Sequence, residues 1–163
     1  MRRFYLLFIL VSFLALPSIK AQSSASFFEK IEGDWSGTGE LFGTPATFKM
    51  SWHEVLSGQF FHLQFSNSFK NQNGNTQGIE AKAFYRLDES TESSGYWFDS
   101  RGVMFGLKFS IKENQLIVLW GDPEIEEGKT EYRLIDGERI EVKDYVKRNG
   151  TFSQFGEAVY TKK

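Results

Sequence analysis

Two carboxylates stand where apolar residues are expected. Glu54 continues the alternation Phe48, Met50, Trp52, and Asp144 lies between Val142 and Val146 on the face begun by Ile140. A charge on an apolar face is costly unless it is hydrogen-bonded or paired. Each carboxylate is therefore a polar anchor inside a cavity, a member of a structural ion pair, or a residue at an element's end reaching water. Arg101 and Arg133 are candidate partners and Tyr132 a candidate hydrogen-bond donor. A carboxylate held in apolar surroundings could also act as an acid or base, but perturbed carboxylates are often structural, and that is the preferred assignment.

The remaining chemistry is sparse. The two histidines, His53 and His62, fall on the more polar faces of two neighbouring segments. An imidazole there can bind a metal, but a solvent-facing side chain is the simpler expectation. With no cysteine in the chain, thiolate chemistry, disulfides and a lipid-modified cysteine are excluded. Glycine-rich phosphate loops, nucleophile elbows and metal-ligand clusters do not occur.

The elements that would position these side chains are strands. Residues 46–55 place Phe48, Met50 and Trp52 opposite Lys49, Ser51 and His53. Residues 58–69 place Phe61, Leu63 and Phe65 opposite His62, Gln64 and Ser66. Ile79, Ala81, Ala83, Tyr85 and Leu87 share a third face. Alternation of this kind is the signature of a strand. Residues 35–42, 95–99, 102–112, 115–120, 130–135, 138–147 and 153–161 continue it. The segment 115–120 is almost wholly apolar and is expected to be covered on both sides. Asn71 to Asn75, Glu113-Asn114, Asp136-Gly137 and Asn149-Gly150 supply turns, and Asp136-Gly137 reads as the strongest two-residue hairpin signal. Ser26 to Ile31 reads as one or two helical turns. Successive short strands with tight turns predict an all-β fold of about ten strands, a single antiparallel up-and-down barrel with a short N-terminal helical segment.

The start of the chain has a different grammar. Arg2 and Arg3 precede a run from Phe4 to Leu16 that only Ser12 interrupts; Pro17 then breaks it, and Ala21 ends a cleavage-like segment. This is the order of a secretory signal peptide over residues 1–21, leaving a domain over 22–163 that works in the periplasm or outside the cell. The run falls short of the ~20 apolar residues that span a bilayer, so no stable membrane anchor is expected. Without Arg2, Arg3 and Lys20, the 19 basic residues fall to 16 against 21 acidic ones, a formal charge of −5. That balance disfavours nucleic acid as a partner. Seventeen Phe, six Tyr and four Trp provide the apolar area that must stabilise a domain without disulfides.

Motifs along the chain resemble the calycin group: lipocalins, fatty-acid-binding proteins, nitrobindin-like barrels and, more closely, bacterial lipocalin-like proteins of unknown function. They are Gly33-Asp34-Trp35 with Gly37 and Gly39, Leu56 to Phe60, Ala83 to Asp88, Gly95 to Ser100 with Gly102, Gly128 to Arg133, and Phe155 to Tyr160. At the entry of the first strand, Trp35 with its flanking glycines is expected to close one barrel end beneath Phe27 and Phe28, and the resemblance implies ligand binding in a cavity. Nitrobindin-like barrels hold haem through a late histidine, which this chain lacks, so neither haem nor another cofactor is expected.

The preferred function is binding of a small apolar or amphipathic molecule, because flat side chains with a few polar groups line such pockets. The expected lining is Phe48, Met50, Trp52, Tyr85, Phe98, Trp120 and Tyr132, with Asp144 and Arg101 as polar anchors. A barrel packed solid for a structural or interaction role, and an enzyme using Asp144 or Glu54, stay open as alternatives, as does the oligomeric state.

Overall fold

In the computed structural model, which describes residues 24–87 and 94–163, each of ten main strands pairs with the next and the last returns to the first. The helix α1 (Ser24–Ile31) precedes β1 (Gly33–Leu41), β2 (Thr44–Val55), β3 (Phe60–Lys70), the two-residue β4 (Thr76–Gln77), β5 (Glu80–Arg86) and β6 (Ser94–Asp99). There follow β7 (Met104–Lys112), β8 (Gln115–Asp122), β9 (Glu126–Asp136), β10 (Arg139–Arg148) and β11 (Thr151–Lys162). β4 only extends the β3–β5 connection. The other ten strands form a closed antiparallel meander, sealed where β1 pairs with β11 from Trp35↔Lys162 to Leu41↔Gly156. Closure removes the exposed edges that an open sheet would offer to other chains. The proposed cleavage at Ala21 lies outside the described residues.

α1 plugs one end. Phe27, Phe28 and Ile31 are fully buried, each burial stabilising by roughly 1.5–3 kcal/mol. The Phe28 ring stacks on Phe61 with centroids 5.0 Å apart and meets Phe109 edge-on at 5.8 Å. Trp35 donates its indole N–H to the Ile31 carbonyl at 2.8 Å, satisfying an acceptor that the helix end leaves free. Trp35 is thus a buried clamp beneath the helix, with the Lys162 ammonium 5.3 Å from its ring. Gly37 follows for a steric reason: the Tyr160 ring lies across it, and a β-carbon there would strike the ring.

Several local expectations are corrected. β8 is covered on one side only: Leu116 and Val118 point inward, while Leu119 is exposed and Ile117 half-buried. Its outward apolar residues belong to the surface, so apolar continuity did not mean double coverage. At the β9–β10 hairpin, Asp136 pairs with Arg139, so the loop residues are Gly137 and Glu138 rather than Asp136 and Gly137. The Asp136 carboxylate sets the turn by accepting the Glu138 N–H at 3.0 Å and the Arg139 guanidinium at 2.7 Å. Asn149-Gly150 forms a hairpin turn, both residues in the left-handed region with φ of 51° and 79°. Glu54 is exposed at the plugged end beside Gly58, since its strand leaves the core after Trp52.

Candidate functional site

The plug does not fill the whole barrel. Above Tyr85 and Tyr132 the interior opens into a cavity of about 730 Å³ that reaches solvent at the end opposite α1. Its walls are aromatic and aliphatic: Phe65 from β3, Trp97 from β6, Phe105 and Leu107 from β7, Val118 and Trp120 from β8, and Phe155 from β11. Trp120 stacks on Phe105 at 6.0 Å and Trp97 tilts against Phe65 at 5.8 Å. Gly128 sits opposite Trp120 on β9, and a β-carbon there would overlap the indole. The glycine is what allows the ring to lie flat against the wall.

A polar chain runs across β8, β9 and β10. Trp120 Nε1 donates to Thr130 Oγ1 at 3.1 Å, and Thr130 donates to Asp144 Oδ1 at 2.7 Å. Register explains the meeting, because Thr130 is the direct cross-strand partner of Asp144. On the other side Asp144 pairs with Gly156, and the β10–β11 register shifts between Asp144 and Tyr145. Such a bulge re-aims side chains locally. Asp144 is half-buried and lines the cavity. Burial pushes its carboxyl up to about 6, against the opposing hydrogen bond from Thr130. Burial also raises the phenols of Tyr85, Tyr132 and Tyr160, and the nearby Asp144 charge adds to each. A hydrogen bond joins the Tyr85 and Tyr132 hydroxyls.

At the rim, Asp99 accepts the Trp97 indole N–H at 2.9 Å and the Arg101 guanidinium at 2.8 Å. Burial works to raise the Asp99 carboxyl, but the hydrogen bonds from Arg101 and Trp97 outweigh it and hold it below the ordinary carboxylate value. Arg101 also reaches Glu126 at 3.3 Å. Facing them across the mouth, Phe42 occupies a left-handed turn with φ of 52°, an uncommon conformation for a bulky residue. The residue is 67% exposed, and its ring stacks on Phe155 at 5.2 Å.

Of the residues singled out from sequence, Tyr85, Arg101, Trp120, Tyr132 and Asp144 all border this cavity. Phe48, Met50 and Trp52 point inward but are buried in the packed interior, with Trp52 5.3 Å from Tyr85. Phe98 is corrected outright: it lies on the outer wall, 43% exposed. Tyr96, Trp97 and Phe98 are consecutive aromatics, so composition could not choose between the two faces. Pairing decides, because Trp97 stands opposite Ala83 and Asp99 opposite Ala81, both inward residues. The sequence reading missed Trp97, Phe105, Thr130 and Phe155; the alternation Gly95, Trp97, Asp99 was the available signal for the first. Arg133 pairs with Glu141 on the outside at 2.6 Å, and neither histidine lines the cavity. His62 lies against Phe84 with centroids 4.8 Å apart.

Fold and site together define a calycin-like barrel, plugged at one end and open at the other. Among solved structures, the S-type phycobiliprotein lyase CPES from Guillardia theta matches with a TM-score of 0.59 and 8% identity, over 88% of this chain and 94% of that one. Rv2717c from M. tuberculosis matches with a TM-score of 0.56 and 12% identity, over 85% and 96% respectively. At such identities the likeness is one of fold. No family model matches the chain, and no curated protein matches it.

Proposed function

We propose that the protein binds a small, largely apolar or amphipathic molecule in the open part of its barrel, and does so outside the cytoplasm. The observation that carries ligand binding is the cavity of about 730 Å³ with aromatic walls and a few inward polar groups. Its size falls within the ~300–1,000 Å³ of small-molecule sites. A barrel built only as a scaffold gains nothing from leaving such a volume unfilled, since empty apolar volume costs stability. The shared fold of a phycobiliprotein lyase is in keeping with a working interior. Location outside the cytoplasm rests on the sequence pattern of residues 1–21 alone.

The neutral fluorescent probe N-phenyl-1-naphthylamine tests the binding. It should bind saturably, one per barrel. Val118→Trp, which grows from β8 into the cavity, should abolish that binding while leaving the barrel folded by circular dichroism. Absence of saturable binding, or binding indifferent to Val118→Trp, would remove the proposal.

A second reading is catalysis, carried by the place of the Asp144 carboxyl in the cavity wall. The Asp144 carboxyl, pushed up to about 6, has the proton affinity suited to an acid–base group near neutral pH. Chemical change in a bound molecule, detected by mass spectrometry and lost in Asp144→Asn, would establish it.

A further inference from the structure

The direction of the polar chain in the cavity wall fixes what it can receive. An indole N–H only donates, and a hydroxyl carries one proton. Trp120 therefore uses Thr130 as an acceptor, and the Thr130 proton goes to Asp144 Oδ1. The chain ends on an acceptor facing the cavity. An ionised carboxylate has about four acceptor positions, and among the described residues Thr130 fills one of them. On the side away from Thr130, Asp144 stands opposite Gly156, where a β-carbon would lie 3.5 Å from Oδ2 and the neighbouring side chain is the apolar Leu41, which offers Oδ2 no hydrogen-bond donor.

The charged surroundings point the same way. Among the described residues no cation pairs with Asp144. The phenols nearest it electrostatically are Tyr85 on β5, Tyr132 on β9 and Tyr160 on β11. Arg101, the cavity's lining cation, is held at the rim by Asp99 and Glu126. The lining thus carries one positive charge against the carboxylates of Glu126 and Asp144, and a low-dielectric cleft focuses such a field.

We propose that the cavity selects amphipathic molecules whose polar end is a cationic N–H donor, such as a protonated amine, seated on Asp144 with the apolar part between Trp97, Phe105 and Trp120. This deepens the ligand-binding proposal and rests on it. A carboxylate head group is rejected at this position, so fatty acids are poor ligands.

Displacement of N-phenyl-1-naphthylamine by decylamine, decanol, decanoate and decyltrimethylammonium separates the two ideas. At pH 7.5 decylamine should displace the probe at a concentration about tenfold or more below decanoate, the low end of what close charge pairs contribute. Decyltrimethylammonium, a cation without an N–H, should be weaker than decylamine. Asp144→Asn should abolish the preference for the amine over decanol. In the unaltered protein, decylamine binding should weaken about tenfold from pH 7.5 to 5 as the carboxyl, which titrates near 6, takes up its proton. That series needs no variant to fold. Decanoate or the quaternary ion binding as tightly as decylamine would overturn the amine selectivity, as would a ranking unchanged in Asp144→Asn; binding of the probe and decanol would then still uphold the cavity as a site. Loss of all binding, the probe's included, would overturn both.

Discussion

Asp144→Asn is also a test of stability. In the fold the Asp144 carboxyl moves from its ordinary 3.8 to about 6, chiefly because burial disfavours the charge. The folded chain therefore holds this proton more tightly than the unfolded chain. The associated stability is fully present below about pH 4 and is lost as pH rises through about 6. At ~1.4 kcal/mol per pH unit the whole effect is about 3 kcal/mol, of which about 2 kcal/mol falls between pH 4.5 and 7.5. Asparagine keeps a carbonyl oxygen for the Thr130 hydroxyl and carries no charge, so it should remove this dependence. Urea unfolding followed by tryptophan fluorescence at the two pH values gives the comparison. The difference in unfolding free energy, variant minus parent, should rise by about 2 kcal/mol from pH 4.5 to 7.5. Using the difference cancels the titration of every other group. A difference constant with pH, or one that falls, would refute the claim that Asp144 is charged at a cost within the barrel.

Trp35→Ala removes a buried side chain and the hydrogen bond that holds the end of α1; a loss of about 3–5 kcal/mol and a melting temperature lower by roughly 10 °C should follow, measured by circular dichroism. Trp52→Ala should likewise destabilise by about 3–5 kcal/mol, because Trp52 is fully buried in the packed part. Trp120→Ala, at the cavity wall, should lower probe affinity more than it lowers the melting temperature. N-terminal sequencing of protein recovered from outside the cytoplasm of its own host should begin at or near Gln22, and recovery of intact Met1 would refute cleavage at Ala21.

Period-two alternation, turn residues and the absence of long helical patterns determined the strand class and the meander of this chain. These signals are local, and each strand carries its own copy. Trp35 with its flanking glycines was legible for the same reason. The inward face of β6 was not, because three aromatics in a row satisfy either face and only the pairing of Trp97 with Ala83 chooses. The division of the interior was also beyond the sequence. Phe48, Met50 and Trp52 alternate as convincingly as Trp120 and Tyr132, yet the first three are sealed into the packed interior and the last two border open space. How far α1 reaches into the barrel decides that. Asp144 was conspicuous as a carboxylate on an apolar face, but its partner Thr130 is 14 residues away in the chain. The register of β9 on β10 brings them together, and the bulge beside Asp144 sets its surroundings. Register and bulges arise from the whole sheet closing on itself, so tertiary structure alone decided which polar groups meet in the cavity.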